Sequence, residues 1–130
     1  MEKDCNHVFC FAVDRCAVSP TVDKLYITNS TQHKLLTLAR DGSVLATFMD
    51  PELEWPTCVH VTPAGQVLVC GYKNSKTVLQ VDRKGSRKLA TLATGSDGLQ
   101  WPKSVCYNNN TDSIVVGQNG NNKILVYKVK

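Results

Sequence analysis

The sequence contains no run of about 18 apolar residues, so no segment qualifies as a transmembrane helix. Its first residues, Met1-Glu2-Lys3-Asp4-Cys5, lack the charged-then-apolar order of a secretory signal. Helical periodicity is missing as well, and nothing supports a helix of useful length. None of the three histidines (His7, His33, His60) sits in a nucleophile or general-base signature. These absences point away from a membrane span and from a secreted enzyme with a local catalytic motif.

What is present is the composition of an ordinary globular domain, with 130 residues, enough to bury a real core. The net charge of +4 allows an acidic partner without demanding one. Six cysteines (Cys5, Cys10, Cys16, Cys58, Cys70, Cys106) permit disulfides by number. Cys58, Cys70 and Cys106 lie inside apolar runs, where a free thiol behaves as a small hydrophobe. The expectation is six free thiols and a cytoplasmic location.

Three segments of the chain repeat one another. They run from Asp23 to Phe48, from Gly65 to Leu92 and from Asp112 to Lys130. Each opens with a β-type run: Leu25-Tyr26-Ile27, Val67-Leu68-Val69 or Ile114-Val115-Val116. A polar stretch rich in Asn, Gly and Ser follows, then a lysine (Lys34, Lys76, Lys123) and a second apolar run. Two of the segments continue through Asp41-Gly42 or Lys84-Gly85 into a third run. Asp-Gly tolerates the positive φ that a tight hairpin needs. The links match too, because Glu54-Trp55-Pro56 and Gln100-Trp101-Pro102 each precede another short strand. A period of about 42 to 47 residues with four short strands per unit is that of a propeller blade. The fold expected is therefore all-β: about three four-stranded blades, near 8–48, 57–92 and 103–130, in one domain spanning 1–130. The run Val8-Phe9-Cys10-Phe11-Ala12-Val13 is expected to form the first strand A. The third blade ends without a strand D.

On these residues the chain resembles the NHL-repeat family found at the C-terminus of tripartite-motif (TRIM) proteins. The resemblance lies in Pro-x-x-Val-x-Val at Pro56 to Val61, in Pro-x-x-Val at Pro102 to Val105, and in the Asn/Ser-rich loops leading to the three lysines. It covers roughly Phe11 to Lys130. The family's Asp at the end of strand B is replaced by Thr28, Cys70 and Gly117. The resemblance implies half of a six-bladed propeller whose last blade is completed by an N-terminal strand. A homodimer of two half-rings would close such a ring and bury the open apolar walls.

Cys5, His7, Cys10 and Cys16 are zinc-ligand types, but their spacing is uncommon and strand alternation would scatter them over two faces, so no metal and no cofactor is expected. Enzymatic propellers carry carboxylates in the central channel, and here the A-strand regions supply only Asp14, so no enzyme is expected. In a meander blade the B–C and D–A loops share one face. That face would gather Trp55, Tyr72, Lys73, Lys76, Trp101, Lys103, Asn119, Asn121 and Asn122, a mix of aromatics, lysines and amides that suits protein hot spots. The expected function is a protein-interaction module recognising a partner or substrate protein in a TRIM-like context. Single-stranded RNA is the first alternative ligand, as some NHL domains read it, and a glycan stacked on the tryptophans is the second. Arg83, Lys84, Arg87 and Lys88 belong to the opposite face and are expected to be solvated charge.

Overall fold

The computed structural model describes residues 13–72, 76–120 and 123–129. Among the described residues eleven antiparallel strands account for the regular structure, apart from one 3-10 turn at Gly95–Asp97. The first sheet is a meander of β1 (Val13–Val18), β2 (Lys24–Asn29), β3 (Lys34–Ala39) and β4 (Val44–Phe48). The second has the same order in β5 (Pro56–Val61), β6 (Val67–Gly71), β7 (Thr77–Val81) and β8 (Lys88–Ala93). The third has β9 (Pro102–Asn108), β10 (Ser113–Gln118) and β11 (Ile124–Lys128), with no fourth strand among the described residues. The all-β, blade-like architecture expected from the repeat is what the chain adopts.

Alternation along each strand gives every sheet two apolar faces, and the sheets stack face to back. Tyr26, Leu35 and Phe48 of the first blade pack on Val67, Val69, Leu79 and Val81 of the second. The second blade's other face, with Cys58, Leu68, Cys70 and Val78, packs on Val105, Ile114 and Val116 of the third. Burying a side chain of this size contributes roughly 1.5–3 kcal/mol, so the two seams dominate the fold's stability. Each seam is sealed by a leucine from the inter-blade link: Leu53 is 1% exposed and Leu99 is 0%. The blades are also pinned by polar contacts. The Tyr26 hydroxyl donates to the Arg83 carbonyl at 2.6 Å, and Thr57 Oγ1 donates to the Pro102 carbonyl at 3.0 Å. Gly85, at φ 77°, comes so close to the first blade that a Cβ there would overlap the Thr37 hydroxyl.

Several expectations are corrected. Strand A of the first blade is Val13–Val18, five residues later than the apolar run suggested, and residues 8–12 lie outside the described residues. Cys5, His7 and Cys10 lie outside them too. The free-thiol expectation fails at Cys58 and Cys70, which form a disulfide. They sit on adjacent strands as direct register partners, with Cα atoms 5.4 Å apart, within the range a disulfide bridges. The argument from reduced thiols to the cytosol falls with it. Cys106, expected in the core, is exposed, as is Cys16. Lys88 is not solvated charge. Its ammonium lies 2.8 Å from Glu52 Oε1 and 3.6 Å from Asp50 Oδ2.

Open walls were expected on both flanks. On the first blade Ile27, Leu36 and Leu38 cluster and are only 6–8% exposed, so that wall is not open. On the third blade, Ile124 and Val126 are 68% and 64% exposed and share their face with Cys106 and Val115. Of the two flanks, that wall is the bare one among the described residues.

The disulfide makes a direct prediction. Thiol titration of the denatured chain should gain two thiols on reduction, and reduction should lower the unfolding free energy by about 3 kcal/mol for a loop of this size. An unchanged thiol count would show that Cys58 and Cys70 are unbonded.

Candidate functional site

The links Leu53-Glu54-Trp55-Pro56 and Leu99-Gln100-Trp101-Pro102 occupy the same place at successive junctions. In each, the leucine and the proline are buried and hold the link at both ends. The tryptophan between them is pushed outward and takes a left-handed backbone, at φ 55° for Trp55 and 42° for Trp101. That conformation is rare for a bulky residue and costs on the order of 1–3 kcal/mol. The residues just before strand C do the same, with His33 at φ 58° and Lys76 at φ 37°.

These strained residues meet in pairs. At the first junction the Trp55 N–H donates to His33 Nδ1 at 2.9 Å, and the two rings lie 6.2 Å apart. At the second, Lys76 Nζ sits 5.4 Å from the Trp101 ring centroid, a cation–π contact. Beside it the Asn119 side-chain amide donates to the Tyr72 hydroxyl at 2.7 Å, and the Asn119 N–H donates to the Trp101 carbonyl at 2.9 Å. The Tyr72 N–H in turn donates to the Glu54 carbonyl at 2.9 Å. A cleft of about 380 Å³ lined by Gly98, Gln100, Gln118, Lys123 and Leu125 adjoins the second junction.

The face predicted from loop order is thus assembled. Tyr72, Lys76, Trp101 and Asn119 come together in one network, and Trp55 joins it through Glu54 and Tyr72. Lys103 is exposed on β9 just beyond Trp101, without a contact to the network. Lys73, Asn121 and Asn122 lie outside the described residues. Sequence reasoning missed His33 as a site residue and the role of Leu53 and Leu99. The sequence does carry a signal for the leucines, since Leu-x-Trp-Pro occurs in both links.

Electrostatically the two ends differ. The Glu52 carboxyl is held below its ordinary value by the Lys88 ammonium and then by the Thr91 hydroxyl, and Lys88 is raised by the same bond. That pair straps the first link to β8. His60, half-buried on β5, has its imidazole pushed below the ordinary 6.5 by burial. Among the described residues no three His, Cys, Asp or Glu side chains group as a metal site would require. No helix there is long and apolar enough to cross a membrane.

The fold and the repeated junctions define the class: these are β-propeller blades. No protein-family model matches the chain, and no curated protein matches it either. Solved structures do. Hydrazine synthase of Kuenenia stuttgartiensis superposes over 88% of this chain and 32% of its own, at 22% identity and a TM-score of 0.74. A catalytically inactive variant of virginiamycin B lyase from Staphylococcus aureus, solved with quinupristin, superposes over 90% of this chain and 41% of its own, at 14% identity and a TM-score of 0.59. The chain therefore spans about a third to two fifths of those structures. Both are named as enzymes, so enzymes exist among propellers of this fold. At these identities the likeness shows the fold alone.

His60 yields a pH prediction. Its folded value lies below its unfolded one, so between the two the unfolded chain binds more protons and stability falls as pH drops. Chemical denaturation should show a loss beginning near pH 6.5 and complete once pH is below the lowered folded value. His60→Gln should flatten that segment of the profile; an identical slope in the variant would remove His60 as its source.

Proposed function

We propose that this chain is a recognition segment of an NHL-like propeller, binding a partner protein through the face built by its B–C loops and inter-blade links. The observation that carries this reading is the convergence at the second junction, where Trp101, Lys76, Tyr72 and Asn119 lock one another in place. Trp101 remains 44% exposed there. A large aromatic held rigidly in a polar rim is the usual makeup of a binding hot spot, since little side-chain freedom is left to lose on association. The TRIM-like context is supported by the motif resemblance at Pro56 to Val61 and Pro102 to Val105. A base or sugar stacked on Trp101 is less well supported, because the Lys76 ammonium already occupies a face of that ring.

Affinity capture with the wild-type chain and variants tests the face. Trp101→Ala and Tyr72→Ala should weaken retention of any specific partner by about tenfold or more. Arg87→Ala, on the other end, should retain it fully. Loss with Arg87→Ala and retention with Trp101→Ala would overturn the assignment.

We further propose that the bare wall of the third blade is covered by a second copy of the chain. Corresponding faces of the first two blades are each buried under the next blade, and among the described residues the β11 edge lacks the strand D that completes the others. Light scattering across a dilution series should show a dimer dissociating to monomer, and Val126→Asp should give monomer at all concentrations. A wild-type chain that stays monomeric at tens of micromolar would refute the pairing.

A further inference from the structure

Each junction has a second end, where the A–B and C–D turns of neighbouring blades meet, and there the two seams differ. In the first seam Tyr26 fills the gap: it is 1% exposed, and its hydroxyl donates across to the Arg83 carbonyl at 2.6 Å. The Arg83 guanidinium lies at the same opening and donates to the Ala64 carbonyl at 3.0 Å. Strand register identifies the matching positions in the second seam. Tyr26 pairs with Thr37 and Leu68 with Gln80, and Tyr26 and Leu68 each pack toward the following blade. On the receiving side Val67 pairs with Val81 and Ile114 with Tyr127, so Val129 follows Tyr127 as Arg83 follows Val81. Tyr26 and Arg83 are thus replaced by the shorter Leu68 and Val129. Gln80 is longer than Thr37, but its amide donates to Gln66 within its own blade.

The shortfall leaves a cavity of about 320 Å³ between the second and third blades, lined by described residues throughout. Its apolar lining includes Leu68 and Ile114, which are 1% and 0% exposed. Polar groups border it on both sides. The second blade contributes the paired amides of Gln66 and Gln80, and the third contributes Tyr107, whose hydroxyl donates to Asp112. That volume is at the small end of the range for ligand pockets, about 300–1,000 Å³, and suits a molecule of one ring. The polar lining argues against a plain hydrocarbon, and the Asp112 carboxylate argues against an anion. We infer that this cavity binds a small neutral phenol, its ring against Leu68 and Ile114 and its hydroxyl at the Val129 backbone, where the Tyr26 hydroxyl meets Arg83 in the first seam. Phenols keep their proton up to about pH 10, so such a ligand is uncharged at neutral pH. The site lies at the end of the blades away from Trp55 and Trp101, and it does not rest on the partner-binding reading.

The probe is p-cresol, the tyrosine side chain as a free molecule, titrated into isotope-labelled protein and followed by NMR. The side-chain amide signals of Gln66 and Gln80 should shift to saturation, and that of Gln100, in the link at the other end of the seam, should not move. Toluene, with the ring but no hydroxyl, should bind about tenfold more weakly. Leu68→Tyr rebuilds the first seam's arrangement in the second, so it should raise the melting temperature and abolish the shifts with p-cresol. A wild-type titration that moves neither signal overturns the proposal, and so does any loss of thermal stability in Leu68→Tyr. Equal affinity for toluene would remove the hydroxyl contact and with it the phenol assignment. Tighter binding of N-acetyltyrosinamide than of p-cresol would overturn the small-molecule reading and give the cavity to a tyrosine of a partner protein.

Discussion

The structure depends on one arrangement, the stacking of one blade's trailing face on the next blade's leading face. A four-stranded antiparallel meander with apolar residues on both sides cannot stand alone in water, because each exposed wall would leave several large side chains hydrated. Stacking removes that penalty and also fixes the geometry of everything at the junctions. Leu53 and Leu99 are buried because a seam exists for them to enter, and their burial dictates where the following tryptophan emerges. The candidate site is thus a by-product of core packing at its upper rim, repeated because the packing is repeated.

Repetition is also why so much was legible in the sequence. Strand alternation, glycine-closed turns (Asp41-Gly42, Lys84-Gly85) and Trp-Pro links are local signals, and each occurs at least twice, so the blades and the face bearing Trp101 and Tyr72 followed from spacing alone. The first strand A was misplaced because no Trp-Pro link precedes it, and an unbroken apolar stretch gives no internal mark of where the strand begins. Taken singly, Cys58 and Cys70 look like hydrophobes on separate strands. Yet they stand symmetrically about the turn between Val61 and Val67, which pair directly, so counting outward from that turn places them opposite each other. Cys106 was misjudged for a related reason. The third blade's strands look like the others, but the face on which Cys106 lies has no following blade to cover it.

The contacts between His33 and Trp55, and between Lys76 and Trp101, were beyond reach of pattern reading. Each joins residues far apart in the chain, across the seam between two blades, and nothing in local periodicity states which loop of one blade meets which link of the next. Left-handed backbone at a histidine, a lysine and two tryptophans is likewise opposed by intrinsic preference, so a sequence rule would place glycine or asparagine there.

That opposition carries a consequence for how the face behaves. The disulfide lies two residues beyond Pro56 on one strand and two before Tyr72 on its neighbour, and the Tyr72 N–H closes the same ring of contacts by donating to Glu54. The link bearing Trp55 and the loop bearing Tyr72 are therefore joined covalently below and by hydrogen bonding above. A strained conformation persists only where its surroundings over-determine it. Here those surroundings are a buried leucine, a buried proline, a cross-strand bond and an inter-loop hydrogen bond acting on a few residues. The face is rigid because the seam beneath it is, so under the proposed function a partner would meet a surface already formed, and selectivity would come from how well the partner matches it.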